Sequence, residues 1–518
     1  MISINGLRKA VGTALEYLHS VPDVKEAEVF ISSNGCLFTR LNYTSHIPSN
    51  GVEEPKSTEN LGVGLRVVFE TQEGTRTGFG SEPSDISLAA VRSALEKARR
   101  AAVTDPEFVS LPRPTGEARS IDRYHDIAIM QIEDRDVARV GWVTLDEALD
   151  TLGSSEELLS LVGSKESLPG LGLIVGGDVT ILQERMAIAS YSMPKIQTDQ
   201  STLIMAFITA MIEREYAKGS DSTVWTRLAD FSGEPGRKAA QNAIASVGGV
   251  RVKDGAYKVI LGRQAVTDLL HNIIIPSLQL GTFYAVASPF LGKLGKTVAS
   301  DTLTIYDHGA LPGYAGTKGI TCEGIPTGRT DLIKDGVLVG LLANYYESQR
   351  MLSDPKAKEK LGVDPREHRQ TLVPRNGFRF TRGGGRHFDT PPGTFGTNII
   401  VEGKERCTHE ELLRRVGDGL YIGRIWYTYP INGLAPGDFT CTVVGESFLI
   451  KDGRLSTPLK PNTVRINDNI HNILNSVLGV GDNVRSTLVW AADQIVYAPE
   501  MAVANVHVKE IAEFMETV

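Results

Sequence analysis

Two twelve-residue stretches, "DLIKDGVLVGLL" (331–342) and "FLIKDGRLSTPL" (448–459), decide how the second half of the chain is read. In each, Asp-Gly sits between apolar runs. That pair marks a two-residue hairpin, because both turn positions of a type I′ turn need positive φ, which glycine and aspartate tolerate. A third copy of the same turn, "VRVKDGAYKVIL" (250–261), carries the pattern upstream. The spacing predicts that residues 250–518 are mostly antiparallel β, with one helix at 264–280 and another at 408–416.

The first half reads differently. Leu7, Val11, Leu15 and Leu18 fall at helical spacing, which predicts an amphipathic helix over 5–19. Short strands follow at 26–33, 36–41 and 62–70, then a turn and a returning strand at 71–81. Residues 84–103 form a helix, with Ser84 and Asp85 placed to cap it and Leu88, Val91 and Leu95 on one face. A connection over 104–120, a helix-rich stretch including 144–163 and two further strand runs complete this half. The fold class is α+β. An N-terminal sandwich-like domain (1–240) has helices flanking an antiparallel sheet, and a C-terminal domain (241–518) is β-rich with few helices. Between Ser353 and Phe395 the rhythm fails: a charged run gives way to "RFTRGGGRHFDTPPGTF" (379–395), which reads as a long loop.

Composition narrows the function classes. A net charge of −8 argues against a nucleic-acid surface, which needs a concentrated positive field. The longest apolar run, "LIMAFITAMI" (203–212), is too short to span a bilayer, and the first twenty residues lack a signal-peptide pattern, so no membrane role is expected. Four widely separated cysteines, Cys36, Cys322, Cys407 and Cys441, form no C-x-x-C pair and suit a reducing cytoplasm. "FLGKLGKT" (290–297) has Phe290 where a Walker loop needs its first glycine, and "RGGGR" (382–386) fits no phosphate-binding spacing. There is no G-x-S-x-G, and Cys441 alternates with apolar neighbours like a buried strand residue.

The candidate chemistry lies in "DLLHNIIIPSLQL" (268–280). A hydrolytic zinc helix needs two imidazoles, a third ligand from elsewhere and a carboxylate to take a proton from bound water. His271 supplies one imidazole; Asn272 cannot act as a base, and Pro276 can neither ligate nor donate a backbone hydrogen bond. Read from its residues alone, His271 is a core histidine in an apolar helix.

The chain resembles the TldD/PmbA family, also called TldD/TldE and once described as modulators of DNA gyrase. The resemblance rests on "GVGLRVVFE" (62–70) with "TGFGS" (77–81), "KVILGRQAVTDLLHNIIIPSL" (258–278), "EGIPTGRTDLIKDG" (323–336), "PPGTFGTNIIVEG" (391–403), the stretch 417–460 and "NILNSVLGVGDNV" (472–484), in that order. The segment 353–388 is an insertion not typical of it. The resemblance implies a zinc metallopeptidase of two unlike subunits. In the TldD-type subunit an H-E-x-x-x-H helix and a C-terminal cysteine hold the metal. Here His271 matches the first histidine, Asn272 replaces the glutamate, Pro276 replaces the second histidine, and residues 481–508 contain no cysteine. The chain therefore resembles the TldE/PmbA-type subunit: no catalytic residue and no metal of its own, a degenerate site at His271, Asn272 and Pro276, and zinc in a TldD-type partner. Its contribution would be to hold an extended peptide by strand addition or to wall off the site. Two other functions stay open: a peptidase using His271, Cys441 and His471 as ligands, and a regulatory protein that binds a protein target without hydrolysis.

Overall fold

A computed structural model describes the chain except residues 48–49, 73, 115–120, 122–123, 382–383, 490–491 and 513–518. The first half is organised around one strand of 21 residues, Val24–Thr44. It pairs antiparallel with Lys56–Thr71 on one side and Leu173–Ser190 on the other, with Val29 opposite Leu65 and Ala189. Gly74–Pro83 forms one edge of this sheet, and Gln197–Ile212 and Ala217–Trp225 complete the other. The runs 26–33 and 36–41 expected as two strands are thus one, as are the two runs within 173–190. Gly35 does not break the strand; it lets Gln183 approach, whose Oε1 lies 2.3 Å from where a Cβ would stand.

The pleat of Val24–Thr44 sorts its residues by parity. Ala27, Val29 and Ile31 pack against helices Ile4–His19 and Leu88–Arg100, and Leu41 packs further along against Asp134–Gly153 and Glu234–Ala245. The second helix begins four residues later than its sequence suggested. Ser87 is its cap, accepting from the Ala90 amide, and Asp85 instead accepts from the Ser87 amide at 2.9 Å. On the opposite face Glu28, Phe30, Ser32 and Asn34 are fully buried, because the C-terminal half covers them.

The C-terminal half contains an eight-stranded and a six-stranded sheet. Within the larger, Gly255–Leu261, Gly419–Pro430, Asp438–Lys451, Val464–Asn469 and Met501–Glu510 close on themselves, since the first pairs with both the second and the last. Two Asp-Gly pairs make the expected hairpins. Lys334 faces Val337 around Asp335 (φ 47°) and Gly336 (φ 77°), and Lys451 faces Arg454 around Asp452 (φ 50°) and Gly453 (φ 70°). The third does not. Gly255 opens a strand without turning, because Val250 before it bridges in parallel to Leu459 instead of forming a returning partner.

The segment 353–388 is not one long loop. Ala357–Leu361 is a short helix whose Ala357 and Leu361 enter the C-terminal core. Gly377–Phe378 pairs with Gly393–Thr394, and Phe380–Thr381 pairs with Gly385–Arg386. Among the described residues no helix is long and apolar enough to cross a membrane.

Candidate functional site: a wide helical turn beside an interdomain groove

The sequence predicts a single helix over 264–280; the structure divides it. An α segment, Arg263–Leu269, passes into a π turn, Leu270–Ile274, and then into Ile275–Ser277. The Ile275 amide donates to the Leu270 carbonyl, one residue further back than in an α-helix. Pro276 follows at once; it has no amide proton, so an α-helical bond to Asn272 could not form there. The widened turn has a chemical consequence. Positions five apart, such as 271 and 276, share a face in a π turn but diverge in an α-helix. The backbone suits an i, i+5 pair of ligands, while the side chains at 271 and 276 are His and Pro.

His271 is held in a neutral, occupied state. Its Nδ1 accepts from the Gln494 amide at 3.1 Å, and burial pushes its pKa down. Gln494 comes from the same C-terminal stretch, 481–508, in which the resemblance places a cysteine ligand. Asn272 donates from Nδ2 to the Asp268 carbonyl at 3.0 Å and to its carboxylate at 3.1 Å. Burial pushes Asp268 up to about 6 against the opposing hydrogen bonds from Asn272 and Gln264. The donor set does not fit zinc: one imidazole, an amide and a proline occupy the three positions. Among the described residues no three His, Cys, Asp or Glu side chains converge to hold a metal ion. The structure does not bring His271, Cys441 and His471 together as such a group. Cys441 lies buried in the Asp438–Lys451 strand with its thiol pKa pushed up by burial. His471 stands edge-on to Phe290, with ring centroids 5.3 Å apart.

Two features had no sequence signal. The first is a groove of about 930 Å³ between the halves. The sheet edge supplies Thr77, Gly78 and Phe79; the C-terminal half supplies Gln279 and Thr282, just past the π turn, and Tyr345. Gly78 and Gly80 press on the Leu88–Arg100 helix, so that a Cβ at either would lie 2.1 Å from a helix carbonyl.

The second is a pair of buried charge networks that seat the segment 353–388 on the sheet. Arg66, which lines the groove, donates from Nε to Glu28 at 2.9 Å. The same carboxylate accepts from Arg379 Nη2 at 2.8 Å, with both side chains fully buried. Glu323 lies 3.7 Å from Arg66 and accepts from the Tyr345 amide at 2.9 Å; burial pushes it up to about 7. In the second network Arg386 bonds Asp199 at 2.6 Å and, through its own amide at 2.7 Å, Glu184. Lys318 also reaches Glu184. Burial opposes ionisation of Glu184, but Lys318 and Arg386 outweigh it and hold the carboxyl well below its usual range.

A mixed α+β chain with a central antiparallel sheet and a closed β-rich half thus carries the π turn and the groove, and its sequence places it in a metallopeptidase family. The chain belongs to the PmbA/TldD family. Residues 254–510 match the PmbA/TldA metallopeptidase C-terminal domain, and residues 49–102 match the PmbA/TldA metallopeptidase domain 1. The chain is 22% identical over 510 residues to metalloprotease PmbA of Escherichia coli O157:H7, covering 96% of each. It is also 22% identical over 490 residues to a metalloprotease TldD homolog of Buchnera aphidicola, covering 91% of each. Its fold is that of TldE from Thermococcus kodakarensis, with a TM-score of 0.74 over 96% of this chain and 100% of that one at 16% identity.

Proposed function

We propose that this chain is the metal-free subunit of a two-chain zinc metallopeptidase, paired with a TldD-type subunit that holds the ion. The observation that carries this reading is the π turn at Leu270–Ile274, which keeps the frame of an i, i+5 ligand pair while presenting His271, Asn272 and Pro276. The groove supports a role in substrate handling. It runs beside the edge strand Gly74–Pro83 and has apolar walls, and such a site suits an extended peptide held by its main chain. The work of this subunit is to hold and shield a flexible peptide or peptide-like biosynthetic intermediate, with residues 1–240 and 241–518 as its two units. A reducing cytoplasm suits its four free cysteines.

The test is reconstitution with a TldD-type chain encoded in the same genome. The pair should hydrolyse an unstructured peptide faster than the TldD-type chain alone, and zinc analysis should place the metal in that chain. Equal activity without this chain overturns the subunit role. Stable binding of a protein target without hydrolysis by the pair supports the regulatory alternative.

A further inference from the structure

A second cavity, of about 390 Å³, lies between the two halves and is distinct in lining from the groove described above. The Ala217–Trp225 strand contributes Asp221, and the start of the Arg263–Leu269 helix contributes Arg263. Most charges in its wall are satisfied locally. Lys238 and Arg485 both reach Glu234, at 3.0 and 3.3 Å, and Glu446 accepts from the amide and hydroxyl of Ser220 at 2.5 Å.

Asp221 and Arg263 are the exceptions. Among the described residues Asp221 accepts one side-chain hydrogen bond, a long one of 3.5 Å from the Thr223 hydroxyl, and Arg263 donates one, to the Asn483 carbonyl at 3.5 Å. Neither has an oppositely charged side chain within 4 Å among the described residues. An acid and a base thus face one cavity without an ion pair between them; burial pushes the Asp221 carboxyl up to about 7 against Lys238, Arg485 and Arg263 nearby. Partly buried charges gain most from a partner that arrives dehydrated and fixed. Phe207, Phe448 and Leu455 add apolar surface to a lining that is otherwise mostly polar.

We propose that this cavity binds a small zwitterion with an apolar side chain, a free α-amino acid or a dipeptide, its ammonium on Asp221 and its carboxylate on Arg263. One molecule carrying both charges bridges the gap that the two side chains leave, and the space is of the size used for small ligands. A single inorganic ion would satisfy one group and leave the other. The site needs neither the partner subunit nor the groove, so its test is separate from that of the proposed function.

The experiment is calorimetric titration of the purified full-length chain with leucine and with leucyl-leucine, up to about 10 mM. N-acetyl-leucine and leucinamide serve as the charge-blocked counterparts. Saturable binding of leucine, of leucyl-leucine or of both is expected; which of the two binds identifies the source. Blocking either charge should weaken binding by about tenfold or more. Asp221→Asn should weaken the free amine but leave N-acetyl-leucine unchanged, and Arg263→Gln should weaken the free acid but leave leucinamide unchanged. Absence of saturable binding, or affinity indifferent to blocking, overturns the proposal. If either variant fails to fold, the blocked ligands on the natural chain decide alone.

Discussion

Arg386 reaches across from the segment 353–388 to Asp199 of the N-terminal sheet, 2.6 Å away, with the Arg386 side chain fully buried. The contact makes this segment part of the joint between the halves, and the strength of that joint is measurable.

Replacing Arg386 with methionine leaves Glu184 and Asp199 buried with one cation fewer. Removing one member of a buried pair costs about 3–5 kcal/mol, against about 0–1 kcal/mol for an exposed pair. Denaturant unfolding of Arg386→Met should show the larger loss; a loss in the surface range would mean that the network does not join the halves.

Gly80 tests the packing beneath the groove. A Cβ there would stand 2.1 Å from the Ala94 carbonyl and 2.5 Å from the Ala98 amide, both backbone atoms that cannot swing aside. Gly80→Ala should lower stability by about 1–3 kcal/mol through overpacking. Gly153→Ala, which meets nothing within 4 Å, should leave the thermal midpoint close to that of the natural chain.

Glu323 sets a pH dependence. Its pKa is raised to about 7 in the fold from an ordinary 4.5. Between those values the folded chain holds a proton that the unfolded chain has released. Its contribution to stability is therefore full below about 4.5 and is lost as pH rises towards 7. Glu323→Gln cannot ionise, so its melting temperature relative to the natural chain should climb between pH 5 and pH 7.5, to about those values. A difference that is flat or falls across the window would show that Glu323 is ionised throughout.

Restoring the two helix positions should not restore a metal. In Asn272→Glu/Pro276→His the π turn would carry both imidazoles and a carboxylate, but among the described residues no third ligand converges there, and His271 Nδ1 would still be bound by Gln494. Metal analysis of the double variant should find well under one zinc per chain; a full equivalent would mean that a ligand converges on the turn from elsewhere.

Much of the architecture was legible because it is written in local chemistry. Asp335–Gly336 and Asp452–Gly453 turn where their φ preferences say they should, and the apolar spacing of Leu7, Val11 and Leu18 places them on the buried helix face. Gly35 misled because an interior strand glycine and a turn glycine look alike until the neighbouring strand, here with Gln183, is known. Asp254–Gly255 misled for the converse reason: turn chemistry was present, but the preceding segment had no strand to pair. The position of the degenerate site was carried by the resemblance and by the residues at 271, 272 and 276. The π geometry, the groove and the charge networks were not legible. Arg379 and Arg386 sit in a glycine- and proline-rich stretch that reads as a long loop, and carboxylates far away in sequence make them interior residues.

That separation has a consequence for how the chain is made. Glu184 emerges from the ribosome 202 residues ahead of Arg386, and Glu28 emerges 351 residues ahead of Arg379. At roughly 5–20 residues per second, the first wait alone lasts about 10–40 s. During synthesis the N-terminal sheet can cover one face with its own helices, while the other stays wet, its carboxylates hydrated until the late arginines arrive. Docking of the late arginines on that face, with the water it displaces, therefore cannot precede the synthesis of residues 379–386.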